Sequence, residues 1–210
     1  MNTRQMFGSL ACGMVLLAGV AACSEEPAKK PQRSKSDSSN SDEANGTTNT
    51  GTAPADLLKL GVEQGQAGNL DAAKATFEKV LAGEANNKFA WFNLGYIAQS
   101  RNQADEAISN YDKALEADAN YKPALYNKAI ALESKAPTTS MDIYRKIVSI
   151  DSKASTAYLR LGLLLSQSGD DAEARAAFKV AIRLDKGLAP AVPTEYRAAL
   201  TARSSAPTGR

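Results

Sequence analysis

Few side chains in this 210-residue sequence are of the types that carry out catalysis. The chain has no histidine, which is the commonest general base and metal ligand in proteins. Its two cysteines, Cys12 and Cys23, both precede residue 24, so the rest of the chain has no thiol for a nucleophile, a disulfide or a zinc site. Two acid pairs remain, Asp105-Glu106 and Asp170-Asp171, but each lies where a helix is expected to begin and carboxylates favour the helix dipole. The sequence therefore predicts no catalytic residue, no metal and no cofactor.

The charges of the chain give no reason to expect nucleic-acid binding. There are 25 basic and 23 acidic residues, for a formal net charge of +2, and the two signs are interspersed along the sequence. A protein that binds DNA or RNA needs a concentrated basic face to neutralise phosphates. We therefore expect no nucleic-acid partner.

The first 22 residues have the layout of a secretory signal. Arg4 is followed by a mainly apolar stretch, 6–20, that is too short for a transmembrane helix of about 20 residues. The segment Val20-Ala21-Ala22-Cys23 resembles the lipobox of bacterial lipoproteins. That resemblance implies cleavage before Cys23, acylation of Cys23, and a lipid anchor on the extracytoplasmic side of a membrane in the bacterial cell envelope. The alternative is an ordinary cleaved signal with an incidental cysteine.

Residues 24–53 form a polar segment without any aromatic or large aliphatic residue. Such a segment cannot bury enough apolar surface to offset its conformational entropy. We therefore interpret residues 23–53 as a lipidated cysteine followed by a disordered tether. Its root-mean-square reach would be about 30 Å.

A pattern of about 34 residues recurs from residue 54 to residue 188. A small residue in each unit stands at Gly61, Gly95, Ala129 and Gly162. A second small column, twelve residues later in three units and eleven in the third, holds Ala73, Ala107, Ser140 and Ala174. Large aromatics follow at Phe77, Tyr111, Tyr144 and Phe178. Apolar spacing within each unit predicts two helices, and the short turn between them requires antiparallel packing.

These columns, above all Trp91-Phe92-Asn93-Leu94-Gly95 with Ala107 and Tyr111, resemble the tetratricopeptide repeat. The resemblance implies an all-α fold: a right-handed superhelical solenoid of four helical hairpins, 54–87, 88–121, 122–154 and 155–188. The segment 189–210 should supply a capping helix at 194–203, with Val192, Tyr196 and Leu200 on the last hairpin, and then a flexible tail.

In this family the first helix of each hairpin lines a concave groove, and the resemblance implies which side chains face it. The resulting groove is apolar and aromatic, which is typical of a protein-binding surface. The predicted binding residues are Phe89, Phe92, Asn93, Tyr96, Tyr126, Asn127, Ile130, Leu159, Arg160 and Leu163. The alternative is that the less typical of these, such as Phe89 and Tyr96, pack against the chain's own tail, its linker or a second copy.

The expected function is that of a membrane-anchored scaffold or adaptor that binds a protein or peptide partner. A self-associating structural component of an envelope assembly is the alternative. An enzyme is the least favoured reading, because it would have to rely on the acid pairs alone.

Overall fold

The computed structural model describes residues 53–202. Cys23, the signal and the tether therefore lie outside the described residues, as do residues 203–210. Within the described range the chain is helical and contains no strand. The helices are α1 Pro54–Gln66, α2 Leu70–Gly83, α3 Lys88–Ser100, α4 Ala104–Ala117, α5 Lys122–Leu132, α6 Pro137–Ile150, α7 Ser155–Ser168, α8 Asp171–Leu184 and α9 Thr194–Ala202, with a 3₁₀ segment at Lys186–Ala191.

Local sequence explains where several helices begin. Proline occupies the first turn of α1, α5 and α6, where its missing N–H is not needed and its fixed φ suits the helix. The start of α3 is capped by Asn87, whose side-chain oxygen accepts from the backbone N–H groups of Phe89 (3.1 Å) and Ala90 (3.0 Å). These local signals mark the beginnings of α1, α3 and α5, the first helices of three hairpins, and of α6.

Three of the four turns inside the hairpins use a residue with positive φ. Gly68 has a φ of +80°, Gly169 of +87°, and Asn102 of +60° in the corresponding position of the second hairpin. Glycine adopts this left-handed conformation without steric cost, and asparagine is the side chain that tolerates it best. The third turn belongs to the unit that is one residue shorter, contains no glycine and has no positive-φ residue.

A close approach between a glycine and an aromatic ring holds each of three hairpins together. A Cβ placed on Gly95 would lie 2.6 Å from the ring of Tyr111, and one on Gly61 would lie 2.7 Å from the ring of Phe77. Gly162 meets Phe178 in the same way. These distances are shorter than van der Waals contact, so the ring occupies the volume that any larger residue would need.

The third hairpin solves the same packing problem with different residues. Ala129 replaces the glycine, and the hydroxyl of Ser140 on α6 donates to the backbone carbonyl of Ala129 at 2.8 Å. Both residues are fully buried, as is Tyr144. A direct side-chain to backbone hydrogen bond therefore ties α5 to α6.

The hairpins stack in chain order into a solenoid, each second helix packing on the first helix of the next unit. Ion pairs join successive hairpins: Arg101 binds Asp71 at 2.7 Å, and Lys135 binds the corresponding Asp105. The predicted fold class, four hairpins followed by a terminal helix, is confirmed.

The last hairpin is covered by the 3₁₀ segment and α9. Val192 and Tyr196 are buried, and the Tyr196 ring centroid lies 5.0 Å from that of Phe178. The Tyr196 hydroxyl also donates to Asp171, the first residue of α8. This hydrogen bond joins α9 to the last hairpin. The side chain of Leu200 lies outside the described part.

No helix among residues 53–202 has the length and apolar character needed to cross a membrane.

The glycine–aromatic contact predicts a sharp contrast between two glycines. We expect Gly95→Ala to lower the free energy of unfolding by about 1–3 kcal/mol, because the new methyl group overlaps the Tyr111 ring. Gly83→Ala is the matched control, since nothing lies within 4 Å of a Cβ at that helical position; it should be neutral or slightly stabilising. Urea denaturation followed by circular dichroism measures both, and equal effects would contradict the contact.

Candidate binding groove

The first helices of the four hairpins, α1, α3, α5 and α7, form the inner side of the solenoid. Besides packing on the second helices, α1 contacts α3 and α3 contacts α5. First helices that touch one another lie on the shorter radius of a curved stack. The concave face is therefore lined by the side chains of these first helices that point away from the second helices.

The structure divides the ten predicted groove residues into two groups. Phe92, Asn93 and Leu159 belong to the packed interior, with exposed fractions of 2%, 1% and 8%. The other seven are half-buried, so each keeps some surface toward solvent: Phe89, Tyr96, Tyr126, Asn127, Ile130, Arg160 and Leu163. That these side chains contact a partner remains a prediction.

An aromatic cluster forms at one edge of the groove around Tyr121. Its ring centroid lies 5.8 Å from that of Phe89 and 5.5 Å from that of Phe92, both edge to face. The Lys88 ammonium lies 5.3 Å from the Phe89 centroid and 5.2 Å from the Tyr121 centroid. Burial, and then the Asp118 carboxylate, raise the pKa of Tyr121 to about 12, so this phenol stays neutral at physiological pH.

Sequence reasoning did not include Tyr121 in the groove. It precedes the first helix of the third hairpin, at the N-cap of α5, and so falls outside the helical positions that the repeat pattern assigns to the groove. The only feature of the sequence that pointed to Tyr121 was its aromatic side chain. Its contact with Phe89 forms because the third hairpin stacks on the second.

The two asparagines mainly serve the fold. The Asn93 amide donates to the Phe89 carbonyl at 2.8 Å, one turn earlier in its own helix. Its side-chain oxygen is buried without a hydrogen-bond partner among the described residues. Asn127 hydrogen-bonds the Tyr111 hydroxyl, which itself donates to Gln99 at 2.6 Å. Asn93 therefore bonds only within α3, whereas Asn127 links α5 to Tyr111 of α4.

Arg160 is already paired with a carboxylate of the chain. One of its terminal nitrogens donates to both oxygens of Glu133, at 2.9 and 3.0 Å, and the Tyr144 hydroxyl donates to the same carboxylate at 2.6 Å. Burial would lower the pKa of Arg160, but the Coulombic interactions with Tyr144 and Glu133 raise it above its ordinary value. The pKa of Tyr144 is also raised, by burial and then by Glu133. The arginine is therefore charged but internally neutralised.

The acid pairs likewise have structural partners. Asp105 and Glu106, in the first turn of α4, bind Lys135 and Lys74, the latter pair at 3.3 Å. Asp171, the first residue of α8, accepts from Tyr196. Within residues 53–202, no three acidic, histidine or cysteine side chains converge closely enough to hold a metal ion. The acid pairs therefore take part in contacts between helices.

Family models identify the repeats directly. Residues 58–122 and residues 155–187 match models described as the tetratricopeptide repeat. These matches identify the first, second and fourth hairpins as tetratricopeptide repeats, and the third hairpin stacks between them in the same helical solenoid. Neither match is to a family of enzymes. No curated protein sequence matches the chain.

Solved structures with the same fold share little sequence with this chain. A crystal structure of MamA has a TM-score of 0.60 at 20% identity, over 69% of this chain and 84% of that one. MamA 41-end from Desulfovibrio magneticus RS-1 has a TM-score of 0.57 at 20% identity, over 64% and 77%. YrrB, described as a TPR protein with an unusual peptide-binding site, has a TM-score of 0.61 at 19% identity, over 70% and 76%. At these identities the likeness concerns the fold alone.

Removing the carboxylate that neutralises Arg160 should destabilise the protein. We expect Glu133→Ala to lower the free energy of unfolding by about 1–3 kcal/mol, because a half-buried guanidinium and a buried phenol lose their partner. Glu63→Ala is the control: its pair with Lys59 is 3.9 Å long and exposed, so its loss should cost less than about 0.5 kcal/mol. Urea denaturation compares the two, and a cost below 0.5 kcal/mol for Glu133→Ala would contradict the network.

Proposed function

We propose that this protein is a membrane-anchored adaptor of the bacterial cell envelope that binds a protein or peptide partner in its concave groove. The observation that carries the proposal is the row of half-buried apolar and aromatic side chains on three successive first helices. Phe89 and Tyr96 lie on α3, Tyr126 and Ile130 on α5, and Leu163 on α7. Each keeps surface toward solvent although its body is held by the packing beneath.

Rigidly held aromatics are well suited to binding. A partner that covers them gains apolar burial without ordering many side chains of the groove, since the rings are already fixed by neighbours such as Tyr121 and Tyr144. Aromatic residues of this kind commonly supply most of the binding energy of an interface. The tetratricopeptide fold is compatible with this role, and YrrB is described as carrying a peptide-binding site.

The charges around the groove favour a partner segment without strong net charge. Arg160 is neutralised by Glu133, Lys59 pairs with Glu63, and Lys88 binds Asp118 at 2.6 Å. An acidic peptide would have to compete with these carboxylates for each cation. We therefore expect the bound segment to be recognised mainly through apolar or aromatic side chains.

The envelope location rests on the amino-terminal sequence. The lipobox-like Val20-Ala21-Ala22-Cys23 supports an acyl anchor at Cys23, and the polar segment 24–53 would separate the anchor from α1. A tether with a reach of about 30 Å lets the groove sample partners close to the membrane surface. Two or three acyl chains would provide stable anchoring.

The groove can be tested with the double variant Phe89→Glu/Tyr96→Glu. Two carboxylates in an apolar contact should weaken partner binding at least about tenfold, because a partner that covers them must remove their hydration. The matched control is Ala72→Glu/Ala176→Glu, which adds the same charges at exposed positions on second helices. Affinity capture from solubilised envelope, read by mass spectrometry, should lose the partner only with the groove variant.

Circular dichroism must show both double variants folded. Retention of the same proteins by a folded groove variant would place binding elsewhere. If no protein is captured and light scattering shows concentration-dependent assembly that the groove variant abolishes, self-association replaces the adaptor model.

The anchor can be tested by replacing each cysteine in turn with serine. Cys23→Ser should move the protein from the detergent-rich to the aqueous phase on Triton X-114 partition, because acylation requires the thiol. Cys12→Ser is the matched control and should stay in the detergent phase, since Cys12 lies inside the predicted signal. Equal partition of the two variants would show that Cys23 is not lipidated.

A further inference from the structure

A second candidate site lies on the opposite side of the solenoid from the groove. A cavity of about 440 Å³ opens between the second helices α2 and α4, with α3 beneath it. Because the second helices lie on the outer side of the curved stack, they diverge and leave this space. Its lining residues are Lys74, Glu78, Leu81, Ala82, Ala85, Trp91, Leu94, Glu106 and Asn110.

Trp91 lies at the base of this cavity and is held in place. Its indole N–H donates to the Ala85 carbonyl at 2.7 Å, and the Lys113 ammonium lies 4.1 Å from its ring centroid. Leu81 and Leu94 complete an apolar base. The ring is thus oriented from two directions, and only part of its surface is covered by the protein.

Asn110 is the unexpected residue of the cavity. It is 8% exposed and lines the cavity, and no hydrogen bond within residues 53–202 engages its side-chain amide. In the two later hairpins the corresponding positions are the apolar residues Ile143 and Ala177. The polar atoms of Asn110 are not among the buried atoms without a partner, so the amide reaches the water of the cavity. A bound group with its own donor and acceptor can replace that water.

We propose that this cavity is a second binding site, which takes one large apolar side chain of a partner polypeptide while Asn110 hydrogen-bonds the adjoining peptide group. A carboxamide both donates and accepts, so it complements the N–H and C=O of a backbone amide. The apolar base suits an aromatic or leucine side chain, and the volume suffices for one such group with its flanking backbone. The rim is electrically mixed, with Lys74 bound to Glu106, so it selects neither an acidic nor a basic segment.

Trp91 is the only tryptophan of the chain, so its fluorescence reports on this site alone. The test titrates the full chain with N-acetylphenylalanine amide, which carries one aromatic side chain between two peptide groups. N-acetylalanine amide and toluene are the comparison probes, because they lack the aromatic group and the peptide groups respectively. We expect a saturable change in Trp91 emission at millimolar N-acetylphenylalanine amide, and a much weaker response to either comparison probe.

Three variants distinguish the loss of the Asn110 hydrogen bond from the filling of the cavity. Asn110→Ala keeps the cavity open but removes the amide, and should weaken binding of N-acetylphenylalanine amide at least about tenfold. Asn110→Leu fills the cavity, and should abolish the response while raising the melting temperature. Ser109→Ala, at the neighbouring exposed position of α4, is the matched control and should bind as the wild type does.

The proposal is overturned by any of three results. The first is the absence of a saturable response to N-acetylphenylalanine amide in the folded wild type. The second is equal binding by wild type and Asn110→Ala, which would mean that water alone satisfies the amide. The third is equal binding of toluene and N-acetylphenylalanine amide, which would reveal an apolar cavity without peptide recognition. None of these three results depends on the groove, so either proposed site can be contradicted without affecting the other.

Discussion

The whole architecture depends on the contact between a small residue on one helix and an aromatic ring on the next. Where Gly95 meets Tyr111, a single added carbon would lie 2.6 Å from the ring, so the two helices pack this closely only because position 95 has no side chain. The same contact recurs at Gly61 and Gly162 and gives each of these hairpins a compact form that can stack on the next. The angle between successive hairpins then curves the stack and produces the inner groove and the outer cavity.

Curvature gives the two sides of the solenoid different properties. On the inner side the first helices touch, and their aromatics are crowded into edge-to-face contacts such as that of Phe89 with Tyr121. On the outer side α2 and α4 leave a cavity over Trp91. The inner side therefore presents a continuous surface suited to an extended segment, whereas the outer side presents a discrete recess suited to a single side chain.

Charge serves mainly to align the hairpins. Asp71 and Asp105, at equivalent positions of the first two hairpins, each bind a cation of the following unit. Glu133 neutralises Arg160 across the third and fourth hairpins. These ion pairs are distributed along the stack, so the charges neutralise one another locally. The recognition that we propose therefore relies on apolar and hydrogen-bonding groups.

The sequence by itself determined the elements and their order. The small and aromatic columns, which recur about every 34 residues, are local signals, and with the short turns between the helices they sufficed to predict four hairpins. Tertiary structure alone decided which side chains remain accessible. Phe92 is covered because Tyr121 packs against it, Arg160 is neutralised by a residue 27 positions earlier, and Asn110 faces the cavity between α2 and α4. Such outcomes depend on the angle between neighbouring hairpins, which is set by the sum of many contacts and is not encoded at any one position.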